Sequence, residues 1–158
     1  MNAAMHASID SEKLSFWTKL AYGSGDLGTA IAAGLRAFFL LIFFTDVARL
    51  DPAMAGMILL INRIWDAFND PFVGWLSDRT VTRWGRRRPW IFAGALPFGL
   101  TFFLLWVVPP FGSAGLFVYY VIISLLLDTA YTVVNVPYTA LTPELTKDYD
   151  ERTSLNSY

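Results

Sequence analysis

Four long apolar segments divide the chain and limit what it can fold into. They cover residues 20–46, 52–76, 89–108 and 115–141. Each reaches the length of about 20 residues that a helix needs to cross the hydrocarbon core of a membrane. Because the connections between the segments are short, consecutive helices are predicted to be antiparallel neighbours. The predicted fold is therefore all-α, a multi-pass transmembrane helix bundle.

The polar segments outside the four helices predict how the chain is oriented in the membrane. Residues 1–18 form a predicted N-terminal tail, residues 19–142 hold the four helices, and residues 143–158 form a polar loop that leads toward a further, missing helix. Outside the apolar segments, nine Lys and Arg residues fall on the side of the N-terminus, and Arg49 alone falls on the other. Since basic residues collect in cytoplasmic loops, we expect the tail and the terminal loop in the cytoplasm.

Composition excludes several classes of protein. The formal net charge of −1 lacks the basic excess of a nucleic-acid-binding protein. The chain has no cysteine, so it has neither a disulfide framework nor a thiolate site. Its one histidine, His6, lies in the polar tail, away from partners at helical spacing, which argues against zinc and histidine-base sites. We predict no cofactor and no enzymatic activity.

The second apolar segment contains the polar sequence RIWDAFNDP. In a helix, Arg63, Asp66, Asn69 and Asp70 share one face, because they lie three or four residues apart or adjacent. A carboxylate at the centre of a membrane helix costs about 2.5 to 3.5 kcal/mol to insert, and the surrounding apolar residues offset that cost. The carboxylates must then face the interior of the bundle or an aqueous cavity.

Two other segments carry polar side chains on one face. The fourth has Asp128, Tyr131, Thr132, Asn135 and Thr139 at helical spacing, and the first contributes Asp26 and Arg36. Intramembrane ionisable residues of this kind line paths for solutes or ions. The three helices are therefore predicted to enclose a hydrated, charged cavity.

The pair Asp66 and Asp70 predicts a cation site. Two carboxylates one turn apart repel each other when both are ionised, so they should share a proton or bind a small alkali cation. The carbonyl oxygen of Asn69 and the hydroxyl of Thr132 can complete a cage of oxygen ligands. An alternative is that Arg63 neutralises Asp66 in an intramembrane ion pair.

Several stretches resemble one family of transporters. KLAYGSGDLG, FFTDV, RIWDAFNDPFVGWLSDRT, TRWGRRRPW, NVPYTALTPEL and ERTSLNSY are similar to the glycoside-pentoside-hexuronide:cation symporters of the major facilitator superfamily, which include melibiose permease. Such transporters have twelve helices, so the resemblance implies that the chain corresponds to the first four. It also implies a bacterial inner membrane, with the remaining helices of the transporter, membrane lipid and a small carbohydrate-like solute as partners.

The resemblance assigns roles to individual residues. It implies a coupling-cation site (Na+ or H+) of Asp66, Asn69, Asp70 and Thr132. It implies a cytoplasmic gating loop of Gly74, Asp78, Arg79, Gly85, Arg86 and Arg87. The candidate solute-binding residues are Tyr131, Asn135, Asp26, Arg36 and Thr139.

The solute site departs from the melibiose permease branch. That branch has sugar-binding aspartates where this chain has Ala30 and Asn135, and a stacking tryptophan where it has Thr139. Tyr131 is retained, and Asp26, one turn before Ala30, can supply a displaced carboxylate. These departures argue against galactoside recognition, and the resemblance implies a cation-coupled symporter for another sugar or glycoside-like solute.

Two alternatives remain open. One is a carrier of lysolipid or another non-sugar solute with the same fold. The other is an intramembrane aspartyl protease, because GSGD at residues 23–26 matches the GxGD motif of those enzymes. Its partner aspartate should follow a tyrosine in a preceding membrane helix, and no such helix precedes this motif.

Overall fold

A computed structural model describes residues 16–83 and 88–139, with the side chains of residues 27–83 and 89–139. Across these residues the protein is all-α, as predicted, with four helices and no strand. Helix α1 spans Phe16–Ile42 and continues into a π-helical turn, Phe43–Val47. Helices α2, α3 and α4 span Pro52–Arg79, Arg88–Leu105 and Ser113–Thr139.

The ends of the helices differ from the predicted bounds for local reasons. Helix α2 begins where Asp51 caps it by accepting a hydrogen bond from the Ala53 N–H at 2.8 Å, and it extends past residue 76 to Arg79. Helix α3 ends at Leu105 rather than at residue 108: the Trp106 and Val107 N–H groups donate to the Phe103 and Leu104 carbonyls in a tighter turn, and Pro109 disfavours helical backbone in Val108. The N-terminal tail and the terminal loop lie outside the described residues and stay predictions.

Helix α4 lies between α2 and α3 and packs against both. Its buried side chains include Tyr120, Leu127 and Thr132, each almost fully enclosed. Helix α1 joins the bundle mainly through Leu40 and the π-helical turn. This arrangement leaves α1, α2 and α4 around a common space.

The π-helical turn fastens the end of α1 to the bundle. The Ala48 N–H donates to the Phe43 carbonyl at 2.9 Å, which inserts one extra residue into the helical ladder. The turn buries Phe43 and Phe44. Their rings lie 4.9 Å from the ring of Trp106 and 4.8 Å from the ring of Tyr120, respectively. Aromatic contacts at these distances stabilise the packing beyond the area that they bury.

Two of the four helices qualify as membrane spans by length and composition alone among the described residues. They are Leu27–Val47 with its π-helical turn, and Ser113–Thr139. The apolar part of α3, Pro89–Leu105, is shorter. Helix α2 is long enough, but Arg63, Asp66 and Asp70 interrupt its apolar sequence. Its assignment to the membrane therefore depends on these charges facing the interior.

Gly94 sets the distance between α3 and α4. A Cβ atom at this position would lie 2.7 Å from Val133 Cγ1 and 2.8 Å from Val134 Cγ2, closer than real Cβ contacts. Both neighbours are β-branched side chains with one preferred rotamer in a helix, so they cannot turn away easily. Because Gly94 has no side chain, the backbones of α3 and α4 can approach closely. Small residues have this role in many pairs of membrane helices.

Replacing Gly94 with alanine is expected to destabilise the fold by about 1 to 3 kcal/mol, since the extra methyl group overpacks the interface. The effect should appear as a lower melting temperature of the purified protein in detergent. Gly99→Ala is the matched control, because nothing lies within 4 Å of the added Cβ on the same helix. Equal melting temperatures for the two variants would contradict the close packing at Gly94.

Candidate functional site

A cavity of about 610 Å³ lies among α1, α2 and α4. A volume of this size suits a small organic solute. Its charged side chains come from all three helices, as the polar faces of the sequence predict. The cavity is lined by Ala33, Arg36, Ala37, Leu40, Leu41, Leu59, Asn62, Arg63, Asp66, Asp70, Asp128, Tyr131 and Thr132.

One hydrogen bond links the two helices that carry the predicted cation site. The Thr132 hydroxyl of α4 donates to Asp70 Oδ1 of α2 at 2.8 Å. Thr132 is fully buried, and Asp66 lies one turn from Asp70 on the same cavity wall. Thr132 and Asp70 are therefore in contact and Asp66 lines the same cavity, and oxygen atoms are the ligands that alkali cations prefer.

Asn69 lies apart from those three side chains. It belongs to the buried face of α2, and its side chain does not line the cavity. Its Nδ2 atom is buried, with no hydrogen-bond partner among the described residues. Neighbouring residues of a helix point about 100° apart, so Asn69 diverges from the direction of Asp70. The structure thus places Asp66, Asp70 and Thr132 in the lining of one cavity and leaves Asn69 outside that lining.

The salt bridge on the cavity wall joins α1 to α4 instead of lying within α2. Arg36 Nη2 contacts Asp128 Oδ1. The side chain of Asp128 is 3% exposed and that of Arg36 is 19% exposed. Arg63 and Asp66 make no salt bridge within 4 Å in the described part of the chain, so the predicted alternative pairing of these two residues is not formed.

The charged side chains of the cavity wall that are outside the salt bridge give the cavity a net negative charge. Arg36 and Asp128 neutralise each other, and the remaining charged side chains are Arg63, Asp66 and Asp70. When both carboxylates are ionised, these three groups carry a net charge of −1. One monovalent cation would bring the lining to neutrality, which lowers the cost of enclosing it in a low-dielectric membrane.

Polar atoms in the cavity wall lack hydrogen-bond partners among the described residues. Asn62 is 4% exposed, and both its Nδ2 and its Oδ1 are unpaired. Arg36 Nε and Asp128 Oδ2 are unpaired as well. Buried polar atoms are nearly always satisfied, and each unmet bond costs about 1 to 3 kcal/mol. These three side chains are therefore suited to a polar ligand.

The other candidate solute residues are spread along the helices. Tyr131 lines the cavity, and its ring lies 6.1 Å from the ring of Phe98. Asn135 and Thr139 lie farther along α4 and do not line the cavity. The Thr139 hydroxyl donates to the Asn135 carbonyl at 3.0 Å. Asp26 lies in α1, but its side chain is outside the described residues.

The predicted gating loop is described only in its first part. Gly74 lies within α2, where an added Cβ would be 3.7 Å from Val136 Cγ1 of α4, an ordinary contact. Asp78 and Arg79 are exposed in the last turn of α2, and the Arg79 guanidinium lies 4.1 Å from the centre of the Trp75 ring. Gly85, Arg86 and Arg87 lie outside the described residues.

Sequence reasoning did not single out Asn62 or the pairing of Arg36 with Asp128. Asn62, Asp66 and Asp70 are spaced four residues apart, a helical spacing that would have placed the asparagine on the cavity face. The pairing across helices has no such signal, because it depends on the depth and rotation of α1 relative to α4.

The known proteins that this chain resembles are transporters. A family model described as MFS/sugar transport protein matches residues 21–158. The uncharacterized symporter sll1374 of Synechocystis is 53% identical, over 98% of this chain and 29% of that protein. The putative glycoside/cation symporter YagG of Escherichia coli is 38% identical, over 92% of this chain and 32% of that protein.

A relative that is named for a different solute is similar to a comparable degree. The sodium-dependent lysophosphatidylcholine symporter 1-A of Danio rerio is 41% identical, over 92% of this chain and 27% of that protein. The chain therefore spans less than one third of the length of each of these three relatives. They are named as symporters and not as enzymes.

Proposed function

Because the chain belongs to the glycoside-pentoside-hexuronide:cation symporters of the major facilitator superfamily, we propose that it forms part of a secondary transporter for a sugar or glycoside-like solute. In this proposal Na+ or H+ is the coupling ion, and further helices complete the solute path. Family membership makes the chain an integral membrane protein of a transporter, so the aspartyl protease alternative is dropped.

The hydrogen bond between Thr132 and Asp70 is the observation that carries the proposal. It joins α2 and α4 at the point where Asp66 and Asp70 give the cavity its excess negative charge. A cation bound there would contact the two carboxylates and the threonine oxygen. Asn69, which is buried next to Asp70, could add its carbonyl oxygen after a rotation of its side chain.

Cation binding would couple to solute binding through these helices. Neutralising Asp66 and Asp70 removes the charge that opposes closure of the cavity, and it fixes α2 against α4. Since both ligands then stabilise the same arrangement of helices, each increases the affinity for the other. Alternating exposure of the loaded cavity to the two sides of the membrane would complete symport.

We further propose that the protein lies in a bacterial inner membrane with its N-terminus in the cytoplasm. An inner membrane symporter of Escherichia coli, YicJ, is 40% identical over 95% of this chain and 33% of that protein. The loop between α2 and α3, with Arg79 and Arg83, would then lie on the cytoplasmic side. In this proposal the same loop gates the cavity from the cytoplasmic side.

A lysolipid is the second candidate solute. The zebrafish relative is named as a lysophosphatidylcholine symporter, and the cavity wall includes the apolar side chains Leu40, Leu41 and Leu59, which an acyl chain could contact. Competition by lysophosphatidylcholine, without competition by glycosides, would favour this candidate over a sugar.

Thr132→Val tests the cation site with little change in volume. In a full-length protein that contains this segment, we expect the affinity for Na+ to fall about tenfold, because one oxygen ligand and its hydrogen bond to Asp70 are lost. Affinity can be measured by the increase in melting temperature on titration with NaCl, with choline chloride as the salt control.

Thr101→Val is the matched control variant. Thr101 is also buried in a helix, but the recorded acceptors of its hydroxyl are backbone carbonyls of its own helix, those of Pro97 and Phe98. We expect this variant to bind Na+ as the parent protein does. Unchanged Na+ affinity in Thr132→Val, with proton-coupled uptake also unchanged, would rule out the proposed site.

A further inference from the structure

We propose that Asn62, Arg36 and Asp128 form a hydroxyl-binding subsite for the solute, next to the cation site. The inference rests on the proposed transport function and adds the residues that would recognise the solute. All three side chains line the same cavity, on α2, α1 and α4 respectively.

The unpaired atoms of this subsite form a balanced set. Asn62 Nδ2 and Arg36 Nε are hydrogen-bond donors, whereas Asn62 Oδ1 and Asp128 Oδ2 are acceptors. All four atoms are buried and without partners among the described residues. A buried polar atom without a hydrogen-bond partner destabilises the protein. A ligand that forms hydrogen bonds with these atoms removes that cost, which increases its affinity.

The balance of donors and acceptors selects one class of ligand group. A hydroxyl both donates and accepts a hydrogen bond, so two neighbouring hydroxyls can satisfy two donors and two acceptors at once. A carboxylate or phosphate would satisfy the donors only and would lie close to the charge of Asp128. A quaternary ammonium group has no donor to offer to the acceptors. The subsite therefore fits hydroxyl groups of a carbohydrate.

The salt bridge helps to position this subsite. Arg36 holds Asp128 Oδ1, which leaves Oδ2 as the available acceptor of that carboxylate. Asn62 lies one turn from Asp66, so the subsite adjoins the cation site along α2. A terminal amide rotates readily about χ2, which allows Asn62 to present its atoms to an entering solute.

The test separates solute binding from cation binding in the full-length protein. The variants are Asn62→Leu and Asn62→Ser, and the probes are p-nitrophenyl β-D-glucopyranoside, p-nitrophenyl α-D-galactopyranoside and lysophosphatidylcholine. For the glycoside that the parent protein binds, we expect affinity to fall about tenfold or more in both variants. Na+ affinity should stay within about twofold of the parent value.

Stability in the absence of solute distinguishes recognition from a structural role. Asn62→Leu removes a buried amide that has no hydrogen-bond partner among the described residues, so the melting temperature without solute should be unchanged or higher. Ser124→Ala is the matched control, because Ser124 is also buried and its hydroxyl also lacks a partner among the described residues, but it does not line the cavity. Glycoside affinity should not change in this control.

Several results would contradict the hydroxyl-binding subsite. Parent-like glycoside affinity in both Asn62 variants would overturn the subsite, and so would a parallel loss of Na+ affinity or of stability. Binding of lysophosphatidylcholine alone, unaffected by the substitutions, would overturn it in favour of the lipid candidate. If the parent protein bound no probe in a cation-dependent way, the proposed transport function itself would fail.

Discussion

Cation-stimulated uptake is expected to fall by about 100-fold or more when Asp70 is replaced with asparagine in the full-length transporter. The substitution keeps the shape of the side chain and an oxygen that can accept the Thr132 hydrogen bond, but it removes the negative charge that attracts the cation. It also leaves Arg63 and Asp66 as a neutral combination on the cavity wall. Uptake of labelled glycoside into proteoliposomes, with and without a Na+ gradient, measures the effect.

Asp46→Asn provides the matched control for Asp70→Asn. Asp46 is exposed in the π-helical turn and does not line the cavity, so the same chemical change there should leave Na+ stimulation intact. Exchange of internal for external glycoside should persist in Asp70→Asn if H+ is the coupling ion, since asparagine resembles the protonated acid. Full Na+ stimulation in Asp70→Asn would refute the assignment of Asp70.

The largest loss of stability is expected from removing Arg36. Arg36→Leu leaves the carboxylate of Asp128 buried without its counter-ion, which typically costs about 3 to 5 kcal/mol. Asp128→Leu should cost less, because Arg36 is the more exposed partner and its guanidinium can reach water in the cavity. Melting temperatures in detergent would give the order of the two effects.

The double variant is the internal control for this pair. Arg36→Leu combined with Asp128→Leu removes both charges, so the loss should be smaller than for Arg36→Leu alone. This cycle measures the coupling between the two side chains directly. Strictly additive losses would mean that the two residues do not interact, contrary to the salt bridge in the structure.

Local features of the fold follow closely from the sequence. The apolar segments predict the helices, and Asp51 with Pro52 predicts the start of α2, because a capping carboxylate and a proline in the first turn are favourable there. The spacing of polar residues predicts that α1, α2 and α4 face a common cavity, since residues three and four apart share one side of a helix.

Features that depend on contacts between helices could not be predicted in the same way. The sequence places Arg36 and Asp128 inside the membrane, but their pairing depends on how α1 lies against α4. Asn69 is adjacent to Asp70, yet it diverges from the cavity toward the buried face of α2. The π-helical turn also lacks a local signal, because burial of Phe43 and Phe44 against Trp106, just after α3, and Tyr120 of α4 stabilises it.

The excess negative charge of the cavity has a consequence for how voltage would act on transport. If the site binds one monovalent cation, the loaded carrier moves no net charge as it reorients, whereas the empty carrier moves one negative charge. A potential of 100 mV is worth about 2.3 kcal/mol per elementary charge that crosses the whole membrane. With the cytoplasm negative, the field would therefore speed the return of the empty carrier to its outward-facing form.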